Sequence, residues 1–113
     1  MNYDLEERLT IFSEKIINFC QRIPKNTISL PLVNQLIRSG TGIGANYTEA
    51  NGASSKKDFK NKIFICKKEA METKYWIRLL SKADGNFTEE CRIFWKEAHE
   101  LTLILSKIAN STK

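Results

Sequence analysis

KKDFKNKIFICKKEAMETKYWIRLLSK, residues 56–82, holds neither glycine nor proline, so it can run as one helix of roughly 40 Å at 1.5 Å rise per residue. Phe59, Ile63, Cys66, Ala70, Thr73, Ile77 and Leu80 recur along it at alternating steps of four and three. That spacing is the seam of a helix that buries one stripe against its neighbours. Ser55 followed by Asp58 offers a capping box at its start, and Gly85 suits the position just past its end. The same stretch carries nine Lys/Arg against three Asp/Glu, whereas residues 1–55 carry five and five and residues 83–113 four and five. The formal net charge of +5 therefore originates in this one segment.

The chain on either side repeats the helical pattern. Upstream, Asp4 with Glu7 reads as an N-cap and its partner, and Leu5, Leu9, Phe12, Ile16, Phe19 and Ile23 form a heptad seam that Pro24 stops. Ser29 can cap a second helix with Pro31 in its first turn, and its seam is Val33, Ile37, Gly40, Gly44 and Tyr47, with Leu36 and Ile43 beside it. Gly40, Gly42 and Gly44 lie inside that pattern, each at a cost of about 1 kcal/mol relative to Ala. Close approach of a neighbouring backbone or large side chain is the physical reason to keep them. Residues 51–55 read as a turn. Downstream, Thr88 caps a fourth helix with the seam Cys91, Phe94, Ala98, Leu101, Leu105 and Ile108, and Asn110 to Lys113 is a polar tail expected to fray. Four amphipathic helices joined by short loops, with no alternating strand pattern, give an all-α fold: a single domain over residues 1–113, an antiparallel up-and-down four-helix bundle.

A length of 113 residues with 42% hydrophobic and 10% aromatic content is enough for a core without staples. The start has no apolar leader, and no stretch approaches the roughly 18 apolar residues of a membrane span. The expected setting is the cytoplasm, with no membrane partner. Cys20, Cys66 and Cys91 form no CxxC pair and lie on or beside the apolar stripes, so they read as reduced core thiols. With His99 the single histidine, no zinc set or Ser/His/Asp arrangement can be assembled. No cofactor, metal or small-molecule substrate is expected.

Three constellations carry the functional reading. Lys56, Lys60, Lys67, Lys74, Arg78 and Lys82 fall within about 80° of one another on a helix of 100° per residue. They form a basic stripe able to follow the phosphate backbone of RNA or DNA. The alternative is a solvated face, partly neutralised by acidic neighbours. Phe64, Ile65, Tyr75, Trp76 and Leu79, with Ile93 and Ile104 on the fourth helix, lie outside the seams and point to a homo-oligomer interface. Glu69 with Glu72, and Glu97 with Glu100, stand one turn apart, the spacing of helical metal sites. A metal-dependent nucleotide hydrolase is the enzyme alternative, against ion pairing within the bundle. Gly40 to Gly44 matches no phosphate-loop pattern, and no strand precedes it.

Ile37-Arg38-Ser39-Gly40-Thr41-Gly42-Ile43-Gly44-Ala45-Asn46-Tyr47-Thr48-Glu49-Ala50, then Ser54 or Ser55, Asp58-Phe59 and Glu69-Ala70-Met71-Glu72-Thr73, resembles the small four-helix bundle proteins encoded in intervening sequences of bacterial 23S ribosomal RNA genes. The match is strong over roughly residues 30–83; the first and fourth helices agree in pattern. Ala50, where the family has Gly, and the extra Gly40 and Gly42 depart from it. The resemblance implies a left-handed bundle, a homopentameric ring and no established catalytic activity. The chain is also similar to the accessory protein of diversity-generating retroelements, a basic pentameric barrel that partners reverse transcriptase and nucleic acid. The resemblance further suggests that Arg38, Asn46, Glu49 and Glu72 partner one another between the second and third helices. The expectation is therefore a non-catalytic homo-oligomer, a pentamer by that resemblance, that binds nucleic acid through its basic stripe. A protein-interaction scaffold without a nucleic-acid role is the alternative.

Overall fold

The computed structural model describes residues 2–112, with side chains over 4–112. Four helices follow in order: α1 (Asn2–Arg22), α2 (Ser29–Asn51), α3 (Lys56–Ala83) and α4 (Thr88–Ser111), with a short 3₁₀ turn at Gly85–Phe87 before the last. They form an elongated four-helix bundle of 44 × 20 × 19 Å. Helices α1 and α2, α2 and α3, and α3 and α4 pack backbone to backbone. Between α1 and α4 no Cα pair of the described residues comes within 8 Å, and side chains alone span that edge.

The seams of α1 and α3 are buried as expected, from Leu5 to Ile23 and from Ile63 to Leu80, with Phe59 partly buried against the core. On α4, Cys91, Ala98, Leu101 and Leu105 are buried, while Phe94 and Ile108 are half-buried and Ala109 lies deeper than Ile108. Phe19 holds the α1–α4 edge from inside, with ring centroids 5.8 Å from Phe87 and 4.9 Å from Phe94. On α2 the buried row is Val33, Leu36, Gly40, Ile43, Tyr47 and Ala50, and Ile37 is exposed. The helix is turned relative to the expected seam because α1 and α3 grip it from two sides. The glycines record this grip. A Cβ on Gly40 would stand 3.1 Å from the Ile16 side chain of α1, one on Gly42 would stand 3.2 Å from the Glu69 side chain of α3, and one on Gly44 would meet Leu9 of α1 at 3.6 Å. Deeper in the α2–α3 contact, the fully buried hydroxyls of Ser39 and Thr73 hydrogen-bond at 3.0 Å.

Several helix ends differ from the expected caps. Ser55 caps α3 as foreseen, accepting the Asp58 N–H at 3.0 Å, and the Asp58 carboxylate accepts the N–H of Ser54. For α2 the capping oxygen belongs to Asn26, whose side chain accepts the N–H groups of Ile28 and Ser29, while the Ser29 hydroxyl donates to the Pro24 carbonyl. Asp4 lies inside the first turn of α1, because the helix begins at Asn2. After α3, Asp84 adopts extended backbone and accepts the Asn86 N–H, so the chain turns without a left-handed Gly85. Thr88 is the first residue of α4, and its hydroxyl bonds back to the Gly85 carbonyl. The turn after α2 is shorter than expected, since that helix continues through Asn51. At the other end α4 runs through Ser111, and Lys113 lies outside the described residues.

Candidate functional site

The two carboxylate pairs each hold one arginine from a neighbouring helix. Arg8 of α1 donates Nε–H to Glu97 at 2.7 Å and Nη2–H to both Glu97 and Glu100 at 2.8 Å, which ties α1 to α4. Arg38 of α2 reaches Glu69 at 3.2 Å and also bonds Glu72, whose carboxylate accepts the Trp76 indole N–H at 2.8 Å. The Arg38 hydrogen bond, then the indole, hold the Glu72 carboxyl below its usual range. Among the described residues no three His, Cys, Asp or Glu side chains are grouped for a metal ion.

The four polar residues expected to share a network divide. Arg38 and Glu72 are partners, but Asn46 donates to the Gly42 carbonyl of its own helix at 2.8 Å, and Glu49 pairs with Lys62 at 3.0 Å. The reason is position along the helix. Asn46 and Glu49 lie two and three turns beyond Arg38, out of its reach, and each satisfies itself with the nearest donor or acceptor. Glu69, absent from the expected set, is the residue that completes the Arg38 clamp.

The expected oligomer surface is likewise split. Phe64, Ile65 and Tyr75 are exposed on the outward face of α3, with Leu79 half-buried. Trp76 and Ile104 pack partly against the core. Ile93, at 67% exposure, lies on the opposite side, in a groove of about 600 Å³ between α1 and α4 with Ile11, Phe12 and Phe94. Absence from a seam does not place residues on a common face, so these seven form no single patch.

The basic stripe occupies the flank of α3 that faces α4. Lys74 Nζ, which carries donors only, donates to His99 Nδ1 at 3.1 Å and stands 5.1 Å from the Trp95 ring centroid, and Arg78 lines a groove shared with α4. Lys56, Lys60, Lys67 and Lys82 share its face by helical spacing. None of the six stripe cations has a carboxylate within 4 Å among the described residues. Four cations pair with glutamates on neighbouring helices, Arg8 and Arg22 across the α1–α4 edge and Arg38 and Lys62 across the α2–α3 edge, while Lys15, Lys57, Lys68 and Lys107, like the stripe, have no carboxylate within 4 Å among the described residues. The α3–α4 edge therefore concentrates unneutralised positive charge. From α4 it gains the unpaired Lys96 together with Trp95 and with Arg92, which Glu89 holds; none of the three is apparent from the seams, although Arg92, Trp95 and His99 follow one another at helical steps of three and four.

The three thiols take no part in this surface. Cys20, Cys66 and Cys91 are buried and unbridged, and loss of solvation pushes them up to about 11, 12 and 11.

A family model described as 23S rRNA-intervening sequence protein matches residues 3–107. A solved structure from Bacteroides thetaiotaomicron, described as a protein of unknown function from the S23 ribosomal protein family, is 31% identical and superposes with a TM-score of 0.84, covering 94% of this chain and 98% of that one. Among curated proteins no match is found.

Proposed function

The chain belongs to the family of 23S rRNA-intervening sequence proteins, and on that footing we propose that it is a non-catalytic, self-associating bundle that binds the backbone of RNA or DNA along its α3–α4 edge. The observation that carries this reading is six unpaired cations aligned on one face of a single helix, whereas Arg8, Arg22, Arg38 and Lys62 on the other two edges meet glutamates. A row of solvated ammonium and guanidinium groups along the helix releases condensed counterions when phosphates replace them, which favours binding at low salt. Self-association draws on the exposed apolar residues Phe64, Ile65 and Tyr75, and a five-subunit ring is the assembly that the family resemblance suggests.

In a gel-shift assay, wild-type protein retains RNA or DNA with a log–log salt slope of about −4 to −5 if all six cations engage. The triple charge reversal of Lys60, Lys67 and Lys74 to Glu abolishes retention. Wild-type protein without salt-sensitive retention would overturn the reading. Light-scattering mass determines the subunit number independently.

A further inference from the structure

The nucleic-acid reading leaves open which form of nucleic acid this edge accepts. Between α3 and α4 lies a groove of about 400 Å³, a volume within the range of about 300–1,000 Å³ typical of small-ligand clefts. Its floor is apolar, made by Ile77 and Cys91, and the Ser81 and Thr88 hydroxyls, 3.3 Å apart, close one end. Arg78, Arg92 and Lys96 stand around it, all exposed, and no carboxylate lines it. Arg92 is held by Glu89 one turn away, whereas Arg78 and Lys96 have no acidic partner among the described residues.

The wall of this groove is Trp95. Its indole is 38% exposed, far more than a packing role in the bundle requires. Behind it the His99 ring stacks at 5.1 Å and 14°, and the Lys74 ammonium both bonds that imidazole and sits over the indole. Held from that side, the indole is a fixed plate. His99 is not part of the groove lining, so the groove lies on the side of Trp95 toward the start of α4.

A fixed aromatic plate beside an apolar floor and a ring of cations matches one nucleic-acid chemistry. An unstacked base can lie on the indole while the phosphates on either side meet Arg78, Lys96 and the lysines further along the stripe. A duplex cannot use the plate, because its bases are already stacked on one another. Resting on the reading of the basic edge as a nucleic-acid surface, we propose that the α3–α4 groove is a seat for one splayed base of a single strand. The protein thereby prefers single-stranded to duplex nucleic acid and shows little base specificity, since every base offers a flat π-face.

The full chain has two tryptophans, so Trp76→Phe leaves Trp95 as the sole indole reporter. This variant is titrated at low salt with a twelve-nucleotide RNA strand, the DNA strand of the same sequence, and the RNA duplex. The expected result is quenching of Trp95 emission by a single strand and not by the duplex, with the RNA and DNA arms showing whether the sugar matters. In gel shifts, Trp95→Ala weakens single-strand binding about tenfold and leaves duplex binding unchanged, and Trp95→Phe, which keeps a stacking face, restores most of the loss. Equal binding of duplex and single strand, or single-strand binding without quenching and unaffected by Trp95→Ala, overturns the base seat and leaves the backbone reading standing. Absence of salt-sensitive binding to all three probes overturns both.

Discussion

Gly40 and Gly44 occupy the same helix one turn apart and face the same neighbour, yet a methyl group has opposite consequences at the two. At Gly40 the added Cβ would press on Ile16, which is wholly buried and β-branched and so cannot turn aside. At Gly44 the nearest atoms stand at ordinary van der Waals distance. We expect Gly44→Ala to stabilise the protein by about 0.5–1 kcal/mol through helix propensity. Gly40→Ala should destabilise it by about 1 kcal/mol or more through overpacking. Urea midpoints of the two variants check the pair, and equal shifts of the same sign would contradict the packing assigned to them. The buried thiols make a second residue-scale prediction. Iodoacetamide at pH 8 should leave Cys20, Cys66 and Cys91 unmodified in the native protein and label all three in urea, as mass spectrometry would count. Because their folded values lie above the usual 9, the stability they contribute is complete below about pH 9 and falls as pH rises toward 11 and 12.

At the scale of the helices, one arginine clamp ties α1 to α4, which the chain does not connect directly, and the other ties α2 to α3, its successor in the chain. Glu72 is held below its usual carboxyl value of 4.5 by Arg38 and Trp76, so its contribution is present at neutral pH and is lost as pH falls below about 4.5 through the folded value. Glu72→Gln should cost no more than about 1 kcal/mol at pH 7, because the pair is partly exposed, and should cost less at pH 3. Chemical denaturation at both values tests this, and an equal loss at each would show that the charge is irrelevant. The helices themselves were legible in the sequence, since the four-three spacing of α1 and α3 names their buried faces residue by residue. Helix α2 was less so. Two apolar rows run along it one residue apart, Val33-Ile37-Gly40-Gly44-Tyr47 and Leu36-Ile43-Ala50, and the buried face takes Val33, Gly40 and Tyr47 from the first and all of the second, because α1 and α3 grip the helix from two sides. Trp95 was illegible as part of a site for a related reason: periodicity separates inside from outside on α4 but does not say which flank turns toward α3.

For the molecule as a whole, the distribution of charge matters more than its sum. The six stripe cations repel one another with no carboxylate within 4 Å among the described residues, and only Lys74 has local partners there, in His99 and the Trp95 ring, so the basic edge is tolerated at some cost to the compact state. Replacing Lys60 and Lys67 by Glu should leave the melting temperature at low salt equal or higher while binding is lost. Raising salt from 20 to 500 mM should stabilise the wild type more than the variant. A scan of both proteins across that range measures it, and a fall in wild-type melting temperature with salt would mean that attractive pairs dominate. The basic stripe was legible as a set of spaced cations, but its isolation from acids was not, because glutamates far away in sequence settle which cations are neutralised.

The missing backbone contact between α1 and α4 bears on how the bundle comes apart. Helix α3 is flanked closely by two others, whereas α1 leans on α2 alone and reaches α4 through Arg8, Arg22 and a few aromatic rings. Loosening those side chains frees one long edge while α2, α3 and α4 still share most of the core. Amide protons of α1 should therefore exchange with solvent ahead of those in α3, making α1 the door of the bundle and α2 its hinge.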